Sequence, residues 1–435
     1  MLHHSRVHRF AVPLRGHPLV AATRHYGPSF VDFLLHKIRQ QQSVNFYRGL
    51  DSVESRSQGV ALRMARSPLK AHNGQPIANS DQIWYTKGVM KLYLPESLLL
   101  SPLSFWLVDK AIKAARFAGL KPSMAVVPKG CLEGLAWYRL KSEMALHGMS
   151  CEEGTDVPVG ASPFVAWVGE TPLQLQLPPG LCDCHAHTQF AYCGRGIDLV
   201  DAATLSLSLG VACQCFTEHA FALYFGSDAL KFKWQNDAEE VARVWANPRR
   251  SRMAAYREML QSVKPLLGDR VRFGLEVDLL KDGQFCLHPE DYEGWDYLIG
   301  AVHEIADVDI KTISDAELEK KWLRDVEALL AQPIRILAHP FRYFPWYRRA
   351  VPRHLYKTVA KMLKQAGVAA EINHHKNAFE VEFFAECLSE GVQLSLGSDA
   401  HVTRQAGDLW AHLKTLEALG LDTAEKRAAH VLSFN

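Results

Sequence analysis

The C-terminal 255 residues hold a recurring pattern: a short apolar run that ends in a residue able to bind a metal ion. The first run, Leu181–Cys184, ends in His185 and His187. The second, Val211–Thr217, ends in Glu218 and His219. Val271–Val277 contains Glu276, followed closely by Asp278. Asp296–Val302 ends in His303, Ile334–Ala338 in His339, Val368–Ile372 in Glu371 and Asn373, and Val392–Leu396 in Asp399 and His401. A single histidine at the end of a strand is more often a hydrogen-bonded structural residue than a ligand. Seven successive runs that end this way are not explained by independent structural needs.

Mixed imidazole and carboxylate donors suit Zn, Mn or Fe better than Ca or Mg. The eight candidates are His185, His187, His219, Glu276, His303, His339, Asp399 and His401. One catalytic ion takes three or four protein ligands, so the surplus implies at least two ions and a bridging carboxylate. Two ions about 3.5–4 Å apart can activate a shared water and clamp the oxygens of a displacement at phosphorus.

Ligands so arranged need elements that converge. Helical material fills most gaps between the runs, as in Glu239 to Leu267. A further helix runs from Ser314, where Ser314 and Glu317 form a capping box, to Leu330. Strands alternating with helices imply a parallel sheet. The length is close to the roughly 250 residues of a β/α barrel, in which all strand C-termini open on one face. Seven strands are expected, not eight.

These motifs resemble the PHP (polymerase and histidinol phosphatase) superfamily. The resemblance rests on Asp183-X-His-X-His-Thr188, Thr217-Glu-His219, Gly274-Leu-Glu-Val-Asp278, Gly300-Ala-Val-His303, Ala338-His-Pro340 and Gly397-Ser-Asp-Ala-His401. The order is the family's, and the detail is closest to its histidinol-phosphatase branch. It covers 181–435 only. The resemblance implies an α/β fold with a distorted (β/α)7 barrel holding two or three divalent ions and hydrolysing phosphate esters. It implies that His185, His187, Glu276 and Asp399 bind one ion, and that Glu276 bridges to a second held by His303 and His339. A third ion would use His219, His401 and a histidine from the loop after the first strand. That loop, Gln189-Phe-Ala-Tyr-Cys-Gly-Arg195, has no histidine. Either Cys193, a thiolate that could ligate zinc, or Arg195, which would hold a phosphate, takes its place.

Phosphate recognition needs further cations, and Arg342, Lys376 and Arg404 fall in the loops after the fifth, sixth and seventh runs. The expected chemistry is attack by a metal-activated water, charge neutralisation by Arg342, and leaving-group assistance from Asp399 or a histidine such as His303. The expected partner is a small phosphorylated molecule. An exonuclease or nucleotide phosphatase is the alternative enzyme, supported only by an Arg-rich, acid-poor start and opposed by a net charge of +2. A non-catalytic binding module derived from the family is the third reading.

The rest of the chain is less informative. Residues 1–28 read as a basic arm. Residues 29–155 form a separate mixed α/β domain, with helices expected at 30–41, Ser104–Ala118 and Trp137–Leu146 and a turn at 70–76. Residues 156–180, with five prolines, read as a linker. Residues 220–270 begin with aromatic and basic side chains that suit either a lid or packing against the preceding domain. The most apolar stretch, Leu92 to Ile112, is broken by Pro95, Glu96, Pro102 and Asp109, so no membrane span is expected. Nine cysteines do not suggest a disulfide framework. Cys182, Cys184, Cys213 and Cys215 are expected in a core, and the compartment is read as cytoplasmic.

Overall fold

The computed structural model describes residues 89–160, 162–193, 196–225, 238–246, 252–375 and 380–434. The expectations for 1–28, 30–41 and 70–76, for Arg195 and Lys376, and for the basic part of 226–237 lie outside these residues. The chain divides into two units, Met1–Ile83 and Trp84–Asn435, and the described residues all fall in the second.

Two sheets organise this unit. The smaller has five strands in the order β3-β2-β1-β4-β5. Its parallel part comprises β1 (Lys91–Tyr93), β2 (Met124–Pro128) and β3 (Ser150–Gly154). Parallel neighbours need long crossovers, and the helices Ser104–Phe117 and Gly134–Leu146 supply them. The first of these stops at Gly119, whose φ of 77° only glycine adopts without strain.

The stretch read as a linker is in fact part of this sheet. Within 156–180, β4 (Val165–Val168) and β5 (Thr171–Gln174) form an antiparallel hairpin against β1. Pro172 is tolerated because β5 is an edge strand, where a missing N–H breaks no ladder. The boundary near residue 180 therefore separates two sheets that belong to one unit.

The larger sheet has seven parallel strands, each beside its predecessor. They are β6 (Cys182–Asp183), β7 (Cys213–His219), β8 (Val271–Val277), β9 (Tyr297–Gly300), β10 (Ile336–Leu337), β11 (Ala369–Asn373) and β12 (Leu394–Gly397). The last strand returns to the first: Cys184 N donates to Leu396 O at 2.7 Å, and His187 N to Ala400 O at 3.0 Å. The result is a nearly closed seven-stranded barrel, as the strand count required. Gly397 lies where the closure is tightest. A Cβ there would stand 1.8 Å from Glu371 Oε1 and 2.8 Å from His185 Cβ.

Helices join the strands, and local chemistry sets their ends. Ser314 Oγ accepts from Glu317 N and starts Asp315–Leu330. The helical material expected over 239–267 comprises, among the described residues, the helices Ala238–Trp245 and Met253–Leu267. The helix Ala220–Phe225 is buried along its length, and its Phe221 ring stands 5.0 Å from His219. The cysteines at 182, 184, 213 and 215 are free and buried. Among the described residues no helix is long and apolar enough to cross a membrane.

Candidate metal centre

The C-terminal ends of the barrel strands bring together all eight side chains singled out by their spacing. Glu276, fully buried on β8, is the hub. Its Oε1 lies 2.8 Å from His339 Nε2 and 3.5 Å from His303 Nε2. Its Oε2 lies 2.7 Å from His219 Nδ1, 3.5 Å from His185 Nε2 and 3.9 Å from His187 Nε2. Asp399 Oδ1 forms the other focus, 3.0 Å from His187 Nε2, 3.7 Å from His185 Nε2 and 3.5 Å from His401 Nδ1.

Carboxylates behind the histidines fix their orientation. His185 Nδ1 is 2.8 Å from Glu371 Oε1, His187 Nδ1 is 3.3 Å from Glu218 Oε1, and His303 Nδ1 is 3.0 Å from Asp278 Oδ1. Each contact leaves Nε2 turned toward Glu276 or Asp399, the arrangement in which metal-ligating histidines are usually held. Glu218 also accepts from Thr188 N and Oγ1, which pins the turn after His187. Asn373 Nδ2 bridges Glu371 Oε2 and Asp399 Oδ2, at 3.2 Å each. His339 and Asp399 adopt φ of 31° and 50°. Left-handed backbone at two non-glycine site residues is strain of the kind that functional sites retain.

Three buried atoms at the focus make no hydrogen bond: His185 Nε2, His219 Nδ1 and Glu276 Oε2. Both nitrogens nevertheless lie close to that oxygen. Buried polar atoms left this way are costly unless something binds them, and converging imidazole and carboxylate donors fit a divalent cation. Three overlapping groups have donors close enough to share an ion: His185, His187 and Asp399; His219, Glu276 and His303; and His187, His219 and His401.

The electrostatics agree with this chemistry. Burial alone would raise the Glu276 carboxyl, but His303, His219 and His185 hold it well below the usual range. Burial opposes ionisation of Asp399 as well, and His185 and Arg342 outweigh it. Burial, then the Arg342 charge, pushes His339 well below an ordinary imidazole. Burial and His187 take His401 down to about 2. His187 is lowered by burial too, yet Asp399 and Glu218 lift it to about 9. The centre thus pairs ionised carboxylates with imidazoles, several of which resist protonation.

Among the expected phosphate ligands, Arg342 reaches the centre. Its Nη1 donates to Asp399 Oδ2 at 2.6 Å and its Nη2 to His303 Nε2 at 3.1 Å, with a further short contact to His339 Nε2. Arg404 does not reach it. Its Nη1 lies 3.9 Å from Glu143 of the smaller sheet's second helix, because the turn Thr403–Gln405 carries it off the barrel mouth. Cys193 Sγ stands 3.4 Å from His219 Nε2, on the side where the loop lacks a histidine. His375, beyond β11, stacks on His401 at 4.6 Å.

Glu371, Glu218, Thr188 and Asn373 matter more than their sequence positions suggested. The signal for Glu371 and Asn373 was present in the ending of the sixth run. Their partners, however, lie on other strands and are fixed only by barrel closure.

A parallel β/α barrel with a histidine-carboxylate cluster at its mouth is the class that fold and site define. Residues 183–375 match the model of the PHP domain family. No curated protein sequence matches the chain. Among solved structures, it is similar to a candidate histidinol phosphatase, hisK, from Listeria monocytogenes. The two are 13% identical with a TM-score of 0.38, and the likeness covers 53% of this chain and 99% of the other.

Proposed function

We propose that the barrel is a metal-dependent phosphoesterase that hydrolyses small phosphomonoesters. The observation that carries the reading is Glu276, a buried carboxylate with five imidazole nitrogens within 4 Å, and Arg342 beside it. His185, His187, Glu276 and Asp399 would hold one divalent ion, and Glu276, His303 and His339 a second. His219 lies near enough to Glu276 to join them. A third ion would use His219 and His401, with Cys193 as the candidate donor from the loop. Bound ions of this kind supply an acidified water and neutralise phosphoryl oxygens.

The chain's own groups account for the rest. The Arg342 guanidinium, oriented by Asp399, presents N–H donors to phosphoryl oxygens in a fork-like geometry. Asp399, held as a carboxylate, accepts a proton or ligates; it does not donate one. His303 is fixed by Asp278 through Nδ1, which turns its Nε2 toward Glu276 Oε1 and the Arg342 guanidinium. Phe221 and Tyr192, whose rings stand 5.0 and 5.1 Å from His219, exclude water from one side.

The test is elemental analysis of purified protein, followed by a panel of small phosphomonoesters, histidinol phosphate among them, beside a labelled oligonucleotide. Bound Zn, Mn or Fe, release of phosphate from small esters, and loss of that release in His339→Ala and Asp399→Asn are expected. Preferential degradation of the oligonucleotide would move the assignment to a nuclease. Absence of transition metal, or unchanged hydrolysis in both variants, would remove the proposal.

A further inference from the structure

The barrel chemistry leaves Lys110 unexplained. It sits in the middle of the helix Ser104–Phe117 with its side chain wholly buried. Its Nζ donates to Ala406 O at 3.2 Å and stands 5.6 Å above the Trp410 ring. Burial lowers its pKa to about 8, against the pull of Asp408. A buried ammonium is expensive, and an apolar side chain of similar volume is often neutral or better for stability. Its presence therefore calls for a reason other than packing.

Its surroundings supply one. Lys113, one turn further along, bonds Asp408 and lies 3.0 Å from Asp109. Glu143 faces Arg404. The barrel partners, Arg404, Ala406 and Asp408, all belong to the loop between β12 and the helix Trp410–Ala418. The same loop carries Asp399 and His401. Within it, Gln405 Oε1 accepts from His401 N at 2.8 Å and from Val402 N at 3.2 Å. Asp183, just before the His185-X-His187 pair, accepts from Ser398 N at 2.9 Å and Gly407 N at 3.0 Å. Gly407 has φ of 65°, and a Cβ there would meet Ser206 Oγ at 2.9 Å, so the loop is fitted closely on that side too. On its other side it meets the helix of the smaller sheet.

We infer that the helix Ser104–Phe117 of the smaller sheet is a positioning element of the metal centre: Lys110 and Lys113 fix the 402–408 segment, and that segment fixes His401. The helix is then a working part of the barrel's mouth. The inference rests on the metal-centre reading of His401.

The experiment uses the full chain with Lys110→Met, Lys113→Met and Lys113→Arg, each checked for folding by circular dichroism. Three quantities are read: amide exchange over 399–409, metal bound per chain, and kcat and KM on an aryl phosphate. In Lys110→Met the loop is expected to exchange faster and to retain less metal. Its kcat should fall roughly 10- to 100-fold, because small misplacement of a catalytic group costs that much, while KM changes little. Lys113→Met should act in the same direction more weakly, and Lys113→Arg, which still reaches Asp408, should restore the wild-type values. Wild-type exchange and metal content in folded Lys110→Met and Lys113→Met would overturn the inference. If Lys110→Met does not fold, Lys113→Met decides, since that side chain is partly exposed. A wild-type chain that binds no metal would defeat the metal-centre reading, and amide exchange would still report on the clamp.

Discussion

The strands β6 and β7 carry potential metal ligands at both ends of the barrel, and the two ends behave differently. At the mouth they lead into His185, His187, Glu218 and His219. Toward the floor they place Cys182 beside Cys213, with Cys184 and Cys215 above them. The thiols pack among Tyr297, Ile299, Ile336 and Leu432. Cys213 and Cys215 Sγ are 3.8 Å apart, and burial pushes the Cys215 thiol up, so it stays neutral. Among the described residues no three ligand atoms converge there. At the mouth, carboxylates orient the imidazoles, and three buried atoms point at one another without hydrogen bonds. Ligand-type residues alone do not make a site. What makes one is a cluster of imidazole and carboxylate atoms left uncompensated in a fixed geometry, as at the mouth.

The sharpest way to break this contrast is Glu276→Gln. The amide keeps the volume but removes the charge toward which five imidazole nitrogens turn. Metal content should collapse, and kcat/KM on an aryl phosphate should fall roughly 10³-fold or more. A variant that retained both would mean that Glu276 is not the hub. Glu371→Gln should do less. It leaves His185 and Asp399 in place but weakens the anchor on His185 Nδ1, so metal affinity should fall about 10- to 100-fold. A chelator competition series on the folded variant measures it.

These two residues also show what could be read from the chain before folding. Glu276 was legible because it closes an apolar run within a run of similar endings. The role of Glu371 was not, since it is set by contact with a histidine 186 positions away and by the close approach at Gly397. The seven strands followed from apolar runs of the right length. The helix expected over Ser104–Ala118 runs from Ser104 to Phe117, just before Gly119. The hairpin at 165–174 was missed because prolines usually mark connections, and only its place at a sheet edge excuses Pro172. Nothing in the chain announced that Lys110 would meet Ala406, nearly 300 residues on.

Protonation offers a third measurement. In chelator-treated protein, His401 and His412 are depressed to about 2 and about 3, by burial first and then by His187 and His374 respectively. As pH falls below their unfolded value near 6.5, the unfolded chain takes up two protons that the folded one refuses, so stability drops by about 2.7 kcal/mol per pH unit. His187, raised to about 9 against the effect of burial, works in the other direction. Its contribution is complete below pH 6.5 and is lost as pH rises through 9. The urea midpoint of the chelated protein should therefore peak near pH 6.5. A midpoint that rose steadily from pH 6.5 to 9 would contradict the assignment of a proton to His187.

The smallest expected effect tests the floor of the barrel. Cys215→Ala removes one buried sulfur from a site with no exposure, leaving a void about the size of a methyl group. The cost should be about 1 kcal/mol of unfolding free energy, seen as a small shift in denaturant midpoint. Metal content and kcat should not change, because the thiol neither ionises nor faces the mouth. The floor and mouth share strands, so a transmitted effect is physically available: Cys215 lies four residues before His219 on β7. If Cys215→Ala lowered metal affinity as much as Glu371→Gln, the thiols would belong to the support of the centre, and the separation between the two ends would fail. If Cys215→Ser gave the same small loss with intact metal, the thiols would be doing no more than any small buried side chain.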